Sequence, residues 1–330
     1  MKDAALAIDL GGTNIKGAVV DREGAILYSQ SVPTGSDLSP AAVIECLGRV
    51  IESLRNKAEN EFGRKVVGAG IGCPGGIYRN RAVVSQSPNF PGWRDVNLRA
   101  GLEQRVRLPA TIENDANLAA LGEFYFGAGR EVDSMILFTL GTGIGGGVIL
   151  DGRIWQGAWG MAGEVGHITV EPDGPLCGCG NHGCLEALAS GPAMVKQAKE
   201  AASLGAAPAL VELMRGDLEA LTPLKIYEAA KLGDELSLTI LKRAGVNIGI
   251  VIASLLNALN VPLFVIGGGI GEAFDVMGPY IRDEVRARAY RVPGSLVRIE
   301  KAILGNDAGT IGAAMLAYQE FGSPSEREQS

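Results

Sequence analysis

The chain has 330 residues, 47% of them hydrophobic, and a formal net charge of −7. That length can bury a large core and supply two domains, while the acidic balance argues against nucleic acid as a partner. No basic run reads as a membrane anchor, and five cysteines, an odd number, do not make a disulfide framework.

In chain order, residues 5–10, 15–20 and 25–32 are predicted strands of one meander, joined by turns at Gly11-Gly12-Thr13 and at 21–24. MKDAALAIDLGGTN enters a strand directly and lacks the apolar region and cleavage site of a signal peptide, so a cytoplasmic protein is expected. Residues 40–62 show helical spacing, with Val43, Leu47, Val50, Ile51 and Leu54 on one face. VVGAGIGCPGGI is expected to be a buried strand and a Gly-Pro loop. SPNFPGWRDVNL is turn-rich and is expected to expose Trp93. PATIENDANLAALGEFYFGAG reads as a strand, then Glu113-Asn114-Asp115, then a helix capped by Asn114 or Asp115.

MILFTLGTGIGGGVILDGRIW repeats the N-terminal meander at an offset of 130: Gly11 falls on Gly141, Gly17 on Gly147 and Asp21 on Asp151. Two such meanders imply two similar α/β domains with mixed sheets, and a cleft between domains is a natural ligand site. Residues 190–258 are mostly helical by pattern. The apolar stretch 245–269 is punctuated by Gly, Asn and Pro, so it reads as a buried helix and a buried strand rather than a membrane span. VRIEKAIL is a further strand, AGTIGAAMLAYQEF a final amphipathic helix, and GSPSEREQS a frayed tail.

Three glycine turns follow apolar strands: Gly11-Gly12-Thr13, Gly141-Thr142-Gly143 and Gly267-Gly268-Gly269. Such turns bring backbone N–H groups close to phosphate oxygens, although each alone is equally a hairpin turn. No G-x4-G-K-[ST] occurs. Gly141, Gly143 and Gly146 fit G-x-G-x-x-G, but strand rather than helix follows, which argues against a dinucleotide fold. Asp9, inside an apolar strand, is either the partner of a hydrated Mg2+ on nucleotide phosphates or a cap on the next turn. Asp115 is either a helix cap or a general base for a substrate hydroxyl. Lys16 is a phosphate contact or a solvated strand residue.

Residues 164–186 gather three of the five cysteines and both histidines on a Gly-rich loop opened by Glu164 and closed by Glu186. Thiolates and imidazoles at this density suit a tetrahedral zinc with a structural role, with His167, Cys177, Cys179 and Cys184 as ligands and His182 as the alternative to His167; free or redox-active thiols are the other reading.

Together these residues resemble the ROK family, which groups bacterial sugar kinases, repressors and uncharacterised open reading frames within the actin-like ATPase superfamily. DLGGTNIKGAVVD is similar to the family's first phosphate motif, TLGTGIGGGVI to the second, VIGGGI to the adenosine motif, and GHITVEPDGPLCGCGNHGCLEALAS to its zinc-containing signature. The resemblance implies two actin-like (ribonuclease H-like) α/β domains with a cleft between them, 1–115 with 310–322 and 116–309, followed by a flexible tail at 323–330. It implies ATP-dependent phosphorylation of a hexose on its 6-hydroxyl, with Mg2+ accompanying ATP and Zn2+ structural. Asp115 takes the place of the catalytic aspartate. Asn114, Glu164, His167 and Glu186 take the places of sugar ligands, and Gly75 and Asn89 lie beside the sugar, the latter in the glucokinase-type loop PNFPGW. D-glucose is the expected hexose, and N-acetylglucosamine or N-acetylmannosamine the alternative within the family. A sugar-responsive repressor is the alternative of another class, opposed by the acidic charge and by the arrival of Asp9 after only eight residues. A homo-oligomer, dimer or tetramer, is expected.

Overall fold

The computed structural model describes residues 2–78, 83–205 and 207–323. All of the tail expected to be flexible, except Ser323, lies outside the described residues. The strands are β1 (Asp3–Leu10), β2 (Asn14–Val20), β3 (Ile26–Pro33), β4 (Lys65–Gly72), β5 (Gly76–Tyr78), β6 (Val83–Gln86), β7 (Ala110–Glu113), β8 (Met135–Leu140), β9 (Ile144–Leu150), β10 (Arg153–Ile154), β11 (Leu263–Gly267) and β12 (Arg298–Lys301). The helices are α1 (Pro40–Asn56), α2 (Leu98–Val106), α3 (Asp115–Phe126), α4 (Leu185–Ala189), α5 (Gly191–Ser203), α6 (Pro208–Leu213), α7 (Pro223–Lys231), α8 (Glu235–Leu259), α9 (Phe274–Arg288), α10 (Arg291–Leu296) and α11 (Ala308–Phe321). One five-stranded sheet has the order β3-β2-β1-β4-β7 and another β10-β9-β8-β11-β12. Both are mixed, and the predicted meanders form with the hairpin β1–β2 antiparallel and β4 and β7 parallel to β1.

Contacts divide the chain into Met1–Ser134 with Gly147–Gly163 and Ile303–Ser330, and Met135–Gly146 with Glu164–Ala302. This cut differs from the expected boundary after Asp115, because α3 is locked to α11. A Cβ on Gly122 would lie 2.1 Å from the Ala308 carbonyl oxygen, and one on Gly312 would lie 1.7 Å from that of Leu118. Gly70 of β4 likewise admits the backbone of Ala313. Helix α11 is therefore buried nearly all round, from Ile311 to Tyr318, and is not the amphipathic helix expected from its pattern. Helix α1 does match its predicted stripe: Val43, Leu47, Val50, Ile51 and Leu54 are buried, and Ser39 caps Ala42 N–H at 3.4 Å.

Trp93 is a second correction. It is 2% exposed, stacks on Phe90 at 4.6 Å between centroids and donates its Nε1–H to the Leu38 carbonyl at 2.8 Å. A turn-rich stretch can still bury its largest side chain when the indole N–H finds an acceptor. Helix α8 begins ten residues before the apolar stretch does and is long and apolar enough to cross a bilayer, but 61% of its most apolar window is buried within the protein, as in a core helix.

Candidate active site

In the unit that starts at Met1, the parallel strands β1, β4 and β7 end side by side, and ligands of open α/β sheets collect at such C-terminal edges. Asp9 pairs with Gly72, and Gly72 with Glu113. Just beyond these ends stand Cys73, whose N–H donates to the Glu113 carbonyl at 2.9 Å, and Asn114-Asp115, which open α3. Asn114 is the cap: its Oδ1 accepts Ala116 N–H at 2.9 Å while its Nδ2 donates to the Gly75 carbonyl at 3.2 Å. Gly75 has φ +111°, and a Cβ there would strike the Gln86 carbonyl at 2.2 Å, so only glycine can present this acceptor.

Asp115 Oδ1 accepts the same Ala116 N–H at 2.9 Å. Asp115 is exposed to solvent, although protein also crowds its carboxyl. That crowding pushes its carboxyl above the ordinary carboxylate range, against the lowering by the N–H groups of Ala116 and of Asp115 itself. Burial likewise pushes Asp9 up; Lys16, opposite it on β2, lowers it and Asp115 raises it. The Cys73 thiol is pushed up to about 12 by burial and by the fields of Asp115 and Asp9, so it is an inert thiol flanked by both carboxylates. Sequence reasoning missed Cys73, because no spacing marks a residue placed by three converging strand ends.

The first glycine turn is braced from within. Gly11 N–H donates to the Asn14 carbonyl at 3.0 Å and Thr34 Oγ1 donates to the Gly11 carbonyl at 2.7 Å. The N–H groups of Gly12 and Thr13 have no protein acceptor among the described residues. A Cβ on Gly12 would lie 3.1 Å from Asn89 Cβ, so the turn touches the PNFPGW loop.

In the other unit the second and third turns adjoin: Gly268 has φ +78°, and a Cβ there would meet the Leu140 carbonyl at 2.3 Å. Gly141 N–H is used inside its own turn, donating to the Gly143 carbonyl at 2.9 Å, and Thr142 is exposed. Gly143 is hemmed in by a carboxylate, since a Cβ there would lie 2.5 Å from Glu186 Oε2. That oxygen accepts Ile144 N–H at 2.9 Å. Gly267 is buried at the end of β11, and Gly269 opens the short 3-10 turn that follows.

The four expected ligands converge. His167 Nδ1 lies 3.7 Å from Cys177 Sγ, Cys179 Sγ lies 3.7 Å from Cys184 Sγ, and all four donors lie within 4.8 Å of one another. Donors bound at zinc distances stand about 3.3–3.8 Å apart around a tetrahedron, so this set suits such an ion. His182 is outside the cluster, its Nδ1 3.1 Å from the Gly174 carbonyl oxygen. The other nitrogen of His167 points to Glu164, Nε2 to Oε2 at 4.0 Å, and Cys177 Sγ lies 3.9 Å from Glu186 Oε1. The cluster thus adjoins Glu164 on one side and Glu186 on the other.

The ROK family profile matches residues 5–320. A glucokinase of Streptomyces coelicolor is 37% identical over 319 residues, covering 95% of this chain and 97% of the relative. The xylose repressor of Bacillus subtilis is 31% identical over 320 residues, 96% of this chain and 77% of the repressor. A crystal structure of a ROK family glucokinase from Streptomyces griseus, in complex with glucose and AMPPNP, superposes with a TM-score of 0.78 at 36% identity, covering 96% of this chain and 99% of that one.

Proposed function

This chain belongs to the ROK family, and from that premise we propose that it is an ATP-dependent hexose kinase that phosphorylates the 6-hydroxyl of D-glucose. The observation that carries the proposal is the pair of carboxylates, Asp9 and Asp115, at the ends of β1 and β7, near enough for Asp115 to raise Asp9. Phosphoryl transfer needs two such groups, one to take the proton of the attacking hydroxyl and one beside the metal-bound phosphates. Asp115, with its proton affinity raised by crowding, accepts the hydroxyl proton and aims the oxygen at the γ-phosphorus. Asn114, Gly75, Asn89, Glu164, His167 and Glu186 are the proposed ligands of sugar hydroxyls. The N–H groups of Gly12 and Thr13, the Thr13 hydroxyl, Lys16 and the turn Gly141-Thr142-Gly143 serve the phosphates, and Gly267-Gly268-Gly269 the adenosine.

Asp9 would hold the hydrated magnesium ion that accompanies ATP, which would supply neutralisation of phosphate charge. His167, Cys177, Cys179 and Cys184 would hold a structural zinc, which fixes the His167 ring and the loop of Glu186. N-acetylglucosamine or N-acetylmannosamine is the alternative substrate, and the protein is expected to be cytoplasmic and a dimer or tetramer. Repressor relatives are less similar than the glucokinase at 31% against 37% identity. Steady-state kinetics with MgATP across glucose, mannose, fructose, N-acetylglucosamine and N-acetylmannosamine test the proposal: glucose should give the highest kcat/KM, and no turnover of any hexose would refute it.

A further inference from the structure

We infer that Gln156 is a positioning residue: from the loop 155–163 it holds the buried carboxylate of Glu113, and Glu113 in turn fixes the Asn114-Asp115 backbone. This deepens the kinase proposal and rests on its assignment of Asp115 as the base.

Glu113 ends β7 and is 1% exposed. No Lys or Arg pairs with it among the described residues, so hydrogen bonds alone offset its desolvation. Three donors supply them. Asn114 N–H at 2.8 Å and Asn117 Nδ2 at 3.0 Å both reach Oε1, whereas Gln156 Nε2 reaches Oε2. The first two come from α3 and the residue that caps it. Gln156 is the one donor to the second oxygen among the described residues, so it sets the plane of the carboxylate. Turning that plane removes the acceptor from Asn114 N–H, the peptide group next to the base.

The same loop reaches Asn114 by a second route. Ala162 N–H donates to the Gln156 carbonyl at 3.1 Å, which closes the loop. Met161 then packs where a Cβ on Gly76 would lie 3.0 Å from its Cε, and the neighbouring Gly75 carbonyl holds Asn114 Nδ2. Of the charged groups, Glu320 of α11 faces Glu113 and raises it, with burial the larger cause. Thr111 Oγ1 donates to Glu320 at 2.8 Å. On its outer side Gln156 borders a cavity of about 1100 Å³ that Arg130, Arg153 and Glu320 also line.

Three variants test the inference, assayed beside wild type and Asp115→Asn. Gln156→Ala should lower kcat for the hexose by about 10-fold while leaving the KM for MgATP unchanged. In Gln156→Glu the new carboxyl group must carry a proton to donate to Glu113. Its profile should therefore keep the acid limb set by Asp115 and gain a second, inverted limb along which activity is lost as pH rises. The exchange Glu113→Gln with Gln156→Glu restores one carboxamide facing one carboxylate, so it should return kcat to within about 3-fold of wild type and remove the inverted limb. Amide exchange at Asn114, measured without substrate, should be faster in Gln156→Ala. Wild-type kcat, pH profile and Asn114 exchange in both single variants would overturn the inference, as would a folded double variant that recovers nothing. If wild type phosphorylates no hexose, the kinase proposal fails by itself, and Asn114 exchange still decides whether Gln156 holds the strand end.

Discussion

The two hairpins β1–β2 and β8–β9 are the same device put to different uses. At an offset of 130, β2 (Asn14–Val20) coincides with β9 (Ile144–Leu150). Gly17 and Gly147 coincide too, and each lets a helix close in: a Cβ on Gly17 would lie 2.7 Å from Leu54 Cδ1, and one on Gly147 would lie 2.4 Å from Ala120 Cβ. The chemistry differs. The first hairpin carries Asp9 and Lys16 as a cross-strand pair, while the matching positions of the second are Thr139 and Gly146. Lacking charge, the second turn wraps an imported one, Glu186, from the cysteine loop. A backbone turn duplicated in sequence therefore fixes where a charge is held and not which residue supplies it.

The largest expected break in that comparison is Gly143→Ala. The added methyl would displace Glu186 from Ile144 N–H, and loss of a charge-assisted bond of about 1.5–3 kcal/mol should raise the hexose KM by roughly 10–100-fold. Gly141→Ala is its control. Nothing lies within 4 Å of that Cβ, so any change should appear in the KM for MgATP and leave the hexose KM alone. Equal effects of the two variants on the hexose KM would contradict the difference drawn between the turns.

A smaller effect should come from the other end of the imported carboxylate. Cys179→Ser should lower the metal content below one zinc per chain and weaken hexose binding by about 10-fold, because the cluster includes His167 and adjoins Glu186. Protein purified without chelator that contains no zinc would refute the metal assignment.

The smallest is a pH effect confined to the first hairpin and its neighbours. Asp9, Glu113 and Asp115 are all raised in the folded chain. Their contribution to stability is therefore fully present below the unfolded carboxylate values, about 4, and is lost as pH rises through the raised folded values. Over that window kcat should move the other way, falling with acidification as Asp115 takes up its proton. Thermal melts and kcat measured across the same buffers check the opposition; kcat that stays flat down to the ordinary carboxylate range would contradict the raised base.

Much of this was legible because local pattern and tertiary role agree. Period-two strands and the glycines after them marked both hairpins, and the density of Cys and His in 164–186 marked the residues that now lie within 4.8 Å of one another. What failed to show has physical reasons. Trp93 looked exposed because its neighbours are turn formers, and only the Leu38 carbonyl, 55 residues away, explains its burial. Helix α11 looked amphipathic because Gly and Ala read as neutral, whereas here they are the contact surface for Leu118 and β4. Gln156 carried no signal at all: a neutral amide on a loop acquires its role from Glu113, 43 residues earlier.

Of all these groups, Asp115 is the one to which the kinase proposal assigns the proton transfer. Asp115→Asn keeps the shape of the side chain and removes the base, so kcat with glucose and MgATP should fall by roughly 10²–10⁴-fold with little change in glucose affinity. Asp9→Asn, measured alongside, should instead raise the KM for MgATP and be relieved in part by added Mg2+. A near-native kcat in Asp115→Asn would contradict the assignment and return the role of base to Asp9 or Glu164.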